Sequence, residues 1–592
     1  MARDHTHQRS PAQQPVAAAG RGLRLRAALA MGGVLAAFLV MAGRLAQLQI
    51  AQGASYRRLA DGQQVMNRQL TAWRGAIWDR HGRPLAATRQ RASICADPRA
   101  VQNPDRTASL LSQALSVPRS VLLARLERDS YFVWVKRNVS DEEADLVEHL
   151  KLPGVFMRRE SKRLYPNGRL AAHVIGFTDV DGRGLAGIER QMDAVLKGRP
   201  GLESVLCDGG RRVYRSPRDK VEREPFDGYD VSLTIDRDIQ NIAEEELEKA
   251  AATHAPECAV AIVMDARDGS VLAMASWPSF DPQRPADSPP EHERNVAITD
   301  AYEYGSAFKP IPVALAIERG QVSPESTFDC HQGEWRIGNR TLHDVHPYGV
   351  LTVSDIICHS SNIGAAQVAM ALGIDRLYEG VRDFGFGSPT GIALPGEAGG
   401  ILRPRRAWSN YSVVSVAFGQ ELAVTPLAVV RAFAALGNGG ALLQPRIVQS
   451  IRHSETGDEI YSAGEPVVSG WPVSPGTAHA VVQMMRRVVE EGTGTRARDD
   501  EYPLAGKTGT AQLLSETGRG YSPGRYLSSF VAVGPVPHCR IAVLVSLCAP
   551  KKNGYYGGTV AAPAVREIAT RTLRQMRVAP AGPTQLALAE PR

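Results

Sequence analysis

The pattern of apolar and polar positions predicts one membrane-spanning helix near the start of the chain and a large water-soluble part after it. An uncharged run from Ala27 to Gly43 lies between Arg26 and Arg44 and is the only candidate for a span. As a helix it is about 25 Å long, and the arginines at its ends can reach the headgroups around a hydrocarbon core of about 30 Å. We therefore expect a transmembrane helix over residues 25–48.

The residues on either side of this run indicate whether it is cleaved and which way it crosses the membrane. A basic stretch before an apolar one is also typical of a cleaved signal peptide, and Val40-Met41-Ala42 would serve as its cleavage site. The length of the run and the helix-like segment from Arg44 to Ala54 favour an uncleaved anchor in the cell membrane. Five arginines against one aspartate in the first 26 residues predict a cytoplasmic tail at 1–24 and an extracytoplasmic, periplasmic remainder.

The region from 49 to 225 alternates between strand-like and helix-like patterns, which predicts an α+β domain. Residues 73–86 read as two short strands joined by a turn at His81-Gly82. Between 105 and 150 apolar residues recur at helical spacing, and the segment 180–200 reads as a helix closed by glycine and proline. The charged, turn-rich passage at 216–230 then predicts a domain boundary.

The region from 226 to 577 has strands at both ends and helices between them. An amphipathic helix is predicted from Ile239 to Ala252, followed by two alternating apolar runs around Asp268-Gly269 that predict an antiparallel hairpin. A second hairpin around 536–539 precedes a helix from Val560 to Met576. This order predicts an α+β domain whose antiparallel sheet is closed by both ends of the region and carries a helical lobe. The tail at 578–592, rich in alanine and proline, is expected to be disordered.

Composition and charge exclude several other classes of protein. The 592 residues are 43% hydrophobic and 22% charged, which is typical of a globular chain of two to four domains. The formal net charge is +7, and much of the surplus lies before the apolar run. The remaining charges are interspersed and form no basic stripe, so we expect no nucleic-acid partner.

The seven cysteines are widely spaced and contain no Cys-x-x-Cys pair, so we expect mostly buried thiols. One disulfide would fit a chain outside the cytoplasm, but nothing indicates a framework. Four side chains of zinc-ligand type fall in one stretch, namely Cys330, Asp344, His346 and Cys358. We favour a loop with packed cysteines and surface histidines over a metal site here.

Candidate chemistry begins with Ser306 and Lys309, which lie three residues apart before the apolar segment IPVALAIERG. On a helix these positions share a face, so the lysine amine can reach the serine hydroxyl. A serine hydroxyl is a poor nucleophile unaided, and a buried, neutral amine can accept its proton. Alone, a Ser-x-x-Lys pair is also what an ordinary surface helix would show.

Two further motifs strengthen this signal. Ser360-Ser361-Asn362 offers a hydroxyl that can shuttle a proton and an amide that can hold a carbonyl. Lys507-Thr508-Gly509 precedes the last hairpin, as expected for a strand that lines a cleft, and Gly509 would let a substrate backbone lie against that strand. Lys507 brings a second cation, which would help to keep Lys309 neutral and would attract an anionic substrate.

These three motifs in this order resemble the signature of the penicillin-binding proteins and serine β-lactamases. Over nearly the whole chain the sequence is similar to the class B penicillin-binding proteins, which are monofunctional peptidoglycan D,D-transpeptidases. The first region is more similar to that of their septal division type, penicillin-binding protein 3, and the resemblance implies that residues 49–225 form an elongated α+β pedestal domain of the dimerisation type. The blocks that carry this resemblance are RGAIWDRHGRPLA, GLAGIERQMDAVLKGRPG, VLAMASWPSFDP, FGQELAVTPL and GYYGGTVAAPAV. Tyr304 departs from the pattern, because the family usually has proline there.

The resemblance implies a role for each motif residue. Ser306 would attack the carbonyl between the two D-alanines of a stem pentapeptide, with Lys309 as the general base and Ser360 as the relay to the leaving amine. The substrate would be held by Asn362, Lys507, Thr508, Gly509 and Thr510. Backbone N–H groups of Ser306 and Thr510 would form the oxyanion hole. A neighbouring stem amine would then take the acyl group, β-lactams would acylate the same serine, and no cofactor is implied.

The resemblance also implies partners and leaves alternatives open. The first region lacks the paired carboxylates expected for glycan chemistry, which implies a separate membrane glycosyltransferase of the shape, elongation, division and sporulation type, together with other division proteins. A β-lactamase is disfavoured because no Glu-x-x-Leu-Asn segment lies between Asn362 and Lys507. A D,D-carboxypeptidase, a β-lactam-sensing receptor, a division scaffold, and an elongation or sporulation transpeptidase stay open.

Overall fold

A computed structural model describes residues 19–207, 213–214, 220–515 and 520–581. The predicted cytoplasmic tail lies outside these residues up to residue 18, and the predicted disordered tail lies outside them from residue 582. The chain divides into two compact units, Met1–Thr71 with Pro200–Pro225, and Ala72–Arg199 with Phe226–Arg592. The domain limits predicted at residues 225 and 577 stay predictions.

The helices and strands of the described residues are numbered in chain order. The helices are α1 (Ala19–Ala46), α2 (Gly53–Gln64), α3 (Pro104–Leu115), α4 (Arg119–Leu126), α5 (Asp141–Leu150), α6 (Ala172–Ile175), α7 (Gly187–Gln191), α8 (Asp193–Leu196), α9 (Arg237–His254), α10 (Val296–Thr299), α11 (Pro310–Glu318), α12 (Val353–His359), α13 (Asn362–Leu372), α14 (Ile374–Asp383), α15 (Ser412–Ala417), α16 (Pro426–Gly437), α17 (Pro475–Glu490), α18 (Gly557–Val560) and α19 (Ala562–Gln575).

The strands are β1 (Val65–Leu70), β2 (Ile77–Trp78), β3 (Pro84–Ala96), β4 (Val133–Lys136), β5 (Val155–Leu164), β6 (Gly201–Cys207), β7 (Val213–Tyr214), β8 (Lys220–Arg223), β9 (Asp230–Leu233), β10 (Cys258–Asp265), β11 (Val271–Trp277), β12 (Thr327–Asp329), β13 (Glu334–Ile337), β14 (Arg340–His343), β15 (Val350–Thr352), β16 (Ile401–Leu402), β17 (Leu422–Ala423), β18 (Leu442–Leu443), β19 (Val448–Arg452), β20 (Glu459–Ser462), β21 (Val468–Gly470), β22 (Ala505–Leu514), β23 (Tyr521–Gly534) and β24 (Ile541–Cys548).

The smaller unit contains the apolar N-terminal helix and a four-stranded sheet. Within the described residues, Gly22–Ala51 is the one helical stretch long and apolar enough to cross a bilayer, and the predicted span lies inside it. Strand β1 pairs antiparallel with β6 over its full length, and β6 also pairs with β7 and β8. The prediction of an apolar helix near the N-terminus is therefore confirmed.

In the larger unit, strands from before residue 199 join β9, β19 and β20 in a seven-stranded sheet, in the order β20-β19-β9-β2-β3-β4 with β5 paired to β3. Helices α3, α4 and α5 pack there around a small core. The predicted hairpin is confirmed, since β2 pairs antiparallel with β3 across a turn closed by Asp79 and Arg83. Helices α3, α4 and α5 confirm the periodicity read between 105 and 150. One prediction was wrong in detail. The single helix expected at 180–200 is split into α7 and α8, because Met192 leaves helical geometry with φ −106° and ψ 20°.

A five-stranded antiparallel sheet, in the order β11-β10-β24-β23-β22, positions the candidate site. Both predicted hairpins are confirmed as β10–β11 and β23–β24, and the predicted C-terminal helix is present as α18 and α19. Helices α9 and α19 pack on one face of the sheet, around residues such as Leu247, Val545 and Leu573. The helical lobe packs on the other face, which confirms the α+β architecture.

Glu189 on α7 links two arginines in a buried ion network of the larger unit. Its two carboxylate oxygens accept from Arg74 Nε at 2.7 Å and from Arg163 Nε at 2.6 Å, and the carboxylate is fully buried. Arg163 also donates to the backbone carbonyl of Gly75 at 2.7 Å. The three charged side chains are buried together. Removal of the acid would leave Arg163 without this carboxylate partner, whereas Arg74 would keep its ion pair with Asp193 at 2.6 Å.

We expect Glu189→Gln to lower the free energy of unfolding of the larger unit by about 3–5 kcal/mol, because the substitution breaks a buried ion network from one side. Urea denaturation followed by tryptophan fluorescence measures this change. Glu490→Gln is the matched control, since Glu490 pairs with Arg486 at 2.6 Å on the exposed side of α17 and should cost about 0.5 kcal/mol or less. Equal effects of the two substitutions would contradict a structural role for the Glu189 network.

Candidate active site

Ser306 lies on a short 3₁₀ turn, Gly305–Phe308, that leads into α11. The regular helix expected around Ser306 begins only at Pro310, because proline is favoured in the first turn of a helix, where its missing N–H is not needed. Ser306 is half-buried, whereas its neighbours Ala307 and Phe308 are buried. The turn thus holds one hydroxyl at the surface of an otherwise packed segment.

Glycines let this turn pack directly against strand β22. Gly305 has φ +56°, and a Cβ atom there would lie 2.9 Å from the carbonyl oxygen of Thr510. A Cβ atom at Gly509 would lie 2.7 Å from the carbonyl oxygen of Tyr304 and 2.3 Å from Ser529 Oγ. Gly509 is therefore required by contacts within the protein, which differs from the substrate contact we expected. The close packing brings Ser306 beside Thr510.

Lys309 is fully buried, and its amine faces the Ser360–Asn362 segment. Nζ donates to the Ser360 carbonyl at 2.5 Å, to Ser360 Oγ at 3.2 Å and to Asn362 Oδ1 at 2.8 Å. The Ser306 hydroxyl has no side-chain hydrogen bond to any described residue, so the predicted contact with Lys309 is not formed. Such contacts are often long without substrate and tighten in the reacting complex.

Lys507 on β22 is the second lysine that contacts the Ser360 hydroxyl. Its Nζ donates to Ser360 Oγ at 2.9 Å and to Thr508 Oγ1 at 3.3 Å, and its side chain is fully buried. The Ser360 oxygen therefore lies between two lysine amines. The structure thus brings together one residue from each of the three sequence motifs, namely Lys309, Ser360 and Lys507.

The two lysines have pKa values below the ordinary range for this side chain. Burial holds the pKa of Lys309 well below its usual value, and the nearby charge of Lys507 lowers it further. Burial lowers the pKa of Lys507 to about 7. Two ammonium groups around one hydroxyl would repel each other in this dry site, so a neutral Lys309 beside a charged Lys507 is the favoured arrangement.

Ser360 and Asn362 lie where one helix ends and the next begins. Ser360 closes α12 in the left-handed conformation with φ 62°, and its N–H bonds to the carbonyl of Ile356. Ser361 caps α13 by accepting from Gly364 N at 2.9 Å. This junction turns the Ser360 and Asn362 side chains toward Lys309, whereas Ser361 turns away from it.

Asp344 fixes this junction and is the site residue whose role sequence reasoning missed. Its carboxylate accepts from Ser361 Oγ at 2.5 Å, from Asn362 N, and from Ile363 N at 3.1 Å. An acidic group at the N-terminus of α13 is also favoured by the helix dipole. The chain had suggested Asp344 only as a zinc ligand, since no local spacing links it to a helix that begins eighteen residues later.

The four side chains considered as zinc ligands do not come together. Cys330 Sγ lies 3.4 Å from Ser361 Oγ, and Cys358 Sγ lies 3.6 Å from the carbonyl of Arg487. His346 is exposed beside Tyr348. Across the residues that the structure describes, no group of three or more histidine, cysteine or acidic side chains is arranged to hold a metal ion.

The remaining motif residues lie along β22, at the edge of the central sheet. Thr508 Oγ1 is 2.8 Å from Thr493 Oγ1, and Thr510 Oγ1 accepts from Gly557 N at 3.1 Å. Tyr304, which replaces the usual proline, is buried and accepts from Ser546 Oγ at 3.3 Å across the sheet face. This bond ties the turn that carries Ser306 to the sheet, and a proline side chain could not form it.

Family models and curated relatives match most of this chain. The family described as "Penicillin binding protein transpeptidase domain" matches residues 259–570, and "Penicillin-binding Protein dimerisation domain" matches 69–233. The peptidoglycan D,D-transpeptidase FtsI of Escherichia coli is 34% identical over 94% of this chain and 92% of its own. Stage V sporulation protein D of Bacillus subtilis is 32% identical over 92% of this chain and 84% of its own.

Solved structures share the fold as well. Penicillin binding protein 3 of Mycobacterium tuberculosis, complexed with aztreonam, covers 87% of this chain and 99% of its own with a TM-score of 0.68 and 28% identity. Penicillin Binding Protein 2X of Streptococcus thermophilus covers 86% of this chain and 80% of its own with a TM-score of 0.72 and 23% identity. On these matches and on the three motifs that meet at one cleft, the chain belongs to the class B penicillin-binding protein transpeptidases, the serine-type peptidoglycan D,D-transpeptidases.

Proposed function

We propose that Ser306 is the acylated nucleophile of the transpeptidase reaction and that Lys309 is its general base. The neutral Lys309 amine takes the proton of the Ser306 hydroxyl as the oxygen attacks the carbonyl between the two terminal D-alanines of a stem peptide. Backbone N–H groups of Ser306 and Thr510 stabilise the oxyanion. The peptide C–N bond then breaks, the leaving D-alanine amine takes a proton through Ser360, and the acyl group stays on Ser306.

A second amine completes the reaction. The amine of a neighbouring stem attacks the acyl-enzyme carbonyl, forms the new amide and returns the Ser306 oxygen to the enzyme, with the proton passed back along the same groups. The net change is one D-alanine released for each cross-link formed. A water molecule in place of the amine would give a D,D-carboxypeptidase, which uses the same residues.

The observation that carries this proposal is the placement of Ser360 Oγ between two buried lysine amines with lowered pKa values. Its distances of 3.2 Å to Lys309 Nζ and 2.9 Å to Lys507 Nζ permit a proton to pass from one amine toward the leaving group. The neutral base needed at Lys309 follows from burial and from the charge of Lys507. An ordinary exposed lysine would be protonated and could not accept the serine proton.

Substrate binding is assigned to the other side of the cleft. The charged amine of Lys507 and the hydroxyl of Thr508 suit the terminal carboxylate of the D-Ala-D-Ala peptide, and the Asn362 amide suits the donor peptide. A β-lactam presents a carboxylate and a reactive carbonyl in a similar arrangement, so it would acylate Ser306 and be released slowly. Penicillin binding protein 3 of Mycobacterium tuberculosis, a relative in fold, is described in complex with aztreonam and with ampicillin.

We also propose that the chain acts at the division septum as a single-pass protein of the cell membrane. Relatives named FtsI and PenA support the septal role, although the similar Stage V sporulation protein D keeps a sporulation role as the second candidate. The arginines before Ala27 support a cytoplasmic N-terminus and an extracytoplasmic transpeptidase domain. A membrane glycosyltransferase of the shape, elongation, division and sporulation type and other division proteins are the proposed partners.

We expect full-length protein in detergent to form a stable covalent adduct with a fluorescent penicillin, and Ser306→Ala to form none, because no other group on the turn can be acylated. Gel fluorescence and intact mass measure the adduct. Ser388→Ala is the control, since Ser388 is exposed on a loop of the same unit and should label like the wild type. Label on Ser306→Ala would overturn the assignment of the nucleophile.

Product analysis separates the two reactions that share this acyl-enzyme. With a D-Ala-D-Ala stem peptide and a second stem as acceptor, chromatography should show released D-alanine together with a cross-linked product. Released D-alanine with only a shortened peptide would replace the transpeptidase proposal with a carboxypeptidase. A folded wild type that labels but releases no D-alanine would contradict the proposed peptide substrate.

We expect Asp344→Asn to slow penicillin acylation by about 10- to 100-fold, because the groups that aim Ser360 and Asn362 lose their anionic acceptor. The acylation rate falls at acid pH as Lys309 becomes protonated, and this acid limb of the pH profile should move to lower pH in Asp344→Asn. The Asp344 charge raises the pKa of Lys309 against the larger effects of burial and Lys507, so its removal lets Lys309 lose its proton at lower pH. Stopped-flow acylation rates across pH measure both effects.

The pH profile distinguishes positioning from general damage. A purely structural lesion would reduce the rate at every pH and leave the limb in place. An unshifted limb in folded Asp344→Asn would therefore contradict the electrostatic link between Asp344 and Lys309.

A further inference from the structure

Two cysteines lie directly opposite each other in the central sheet. Cys258 begins β10 and Cys548 ends β24, and the two residues are register partners in this antiparallel pair. Opposite residues in antiparallel strands have Cα atoms about 4.5–5.5 Å apart, which falls inside the range of about 4.4–6.8 Å found in disulfides. Their thiols are close enough for each to shift the pKa of the other.

The two thiols differ in exposure and in acidity. Cys258 is half-buried, whereas Cys548 is 9% exposed and lines a surface pocket of about 240 Å³ with Tyr302, Glu303 and Arg525. The hydrogen bond from Cys548 lowers the pKa of Cys258, and the same bond raises the pKa of Cys548. Cys258 is therefore both the more exposed residue of the two and the one with the more readily ionised thiol, as is usual for the attacking member of a cysteine pair.

This arrangement distinguishes the pair from other cysteines of the chain. Cys330 and Cys358 lie against a hydroxyl and a carbonyl oxygen, and the Cys95 sulfur lies 3.9 Å from the carbonyl of Ser93. Sulfur with such partners is packed rather than positioned for exchange. We propose that Cys258 and Cys548 form a cross-strand disulfide beside the active site when the protein meets a disulfide-bonded oxidant.

The exchange is balanced with a disulfide of low molecular weight or of a protein oxidant. The Cys258 thiolate attacks one sulfur of that disulfide, which breaks its S–S bond and releases one thiolate. The Cys548 thiol then gives up its proton and attacks the Cys258 sulfur of the mixed disulfide, which releases the second thiolate. Two cysteine thiols are oxidised to one disulfide, the oxidant is reduced to two thiols, and the protons of the pair end on the products.

The position of the pair gives the bond a defined structural effect. Cys258 Sγ lies 3.6 Å from the hydroxyl of Tyr302, which also donates to Asp300 Oδ2 at 3.0 Å. The Tyr302 backbone exchanges two hydrogen bonds with Val424 at 2.9 Å and 3.0 Å, in the segment that leads to Ser306. The disulfide would join the ends of two sheet strands under this segment and would close a chain loop of several hundred residues, which stabilises the folded state.

The test uses full-length protein in detergent, incubated with reduced or with oxidised glutathione, then denatured and alkylated. All seven cysteines should be alkylated after reduction, and two fewer after oxidation. Non-reducing peptide mapping should find Cys258 linked to Cys548. In Cys258→Ser and in Cys548→Ser, oxidation should form no internal disulfide. In Cys539→Ala, which changes a buried cysteine outside the pair, oxidation should still lower the number of alkylated cysteines by two.

Several results would overturn the proposal. These are full alkylation after oxidation, a linkage to any other cysteine, or glutathione that stays attached to Cys258 without resolution by Cys548. Oxidised wild type should also melt about 5 °C higher than reduced wild type, and neither serine variant should show this shift. An unshifted melting temperature with the disulfide mapped would contradict the stabilising effect.

The test does not depend on the transpeptidase reaction. Disulfide formation in glutathione buffers is read from thiols and peptides, whereas the proposed function is read from penicillin labelling of the same samples. Only the occurrence of the bond in the cell rests on the proposed extracytoplasmic location, where disulfides persist. Failure of one proposal can therefore be told from failure of the other.

Discussion

The site depends on one constraint, the burial of two lysine amines around a single serine hydroxyl. Lys309 and Lys507 cannot both stay protonated in a dry site at this separation, so burial and mutual repulsion produce a neutral base beside a charged anion-binding group. Ser360 Oγ connects the two amines. In the proposed reaction, one amine accepts the serine proton while the other holds the substrate carboxylate.

The fold brings these groups together from distant parts of the chain. Lys309 lies between the 3₁₀ turn and α11, Ser360 lies at the junction of α12 and α13, and Lys507 lies on the edge strand β22. Close packing at Gly305 and Gly509 places the turn that carries Ser306 against that strand. The Asp344 carboxylate fixes the junction of α12 and α13. Each group is therefore held by backbone or by buried hydrogen bonds, which gives the precision that positioning requires.

Local and periodic signals made much of this predictable from sequence. A short stretch of chain is enough to predict each of several features: the apolar run, both sheet hairpins, the helices between 105 and 150, and the three sequence motifs. The rest depends on tertiary contacts. No local pattern links Asp344 to Asn362, Cys258 to Cys548, or Glu189 to Arg74 and Arg163. The 3₁₀ turn at Ser306 and the break at Met192 were missed because backbone geometry at single residues overrode helical periodicity.

The most direct test is a ¹³C NMR titration of full-length protein enriched at lysine Cε, with Lys309→Met and Lys507→Met used for assignment. We expect Lys507 to titrate near pH 7 and Lys309 to titrate well below the ordinary lysine value of about 10.4. We also expect the pKa of Lys309 to rise in Lys507→Met, because the repelling charge is gone. Two ordinary lysine titrations, or an unchanged pKa of Lys309 in that variant, would disprove the coupling of the two buried amines.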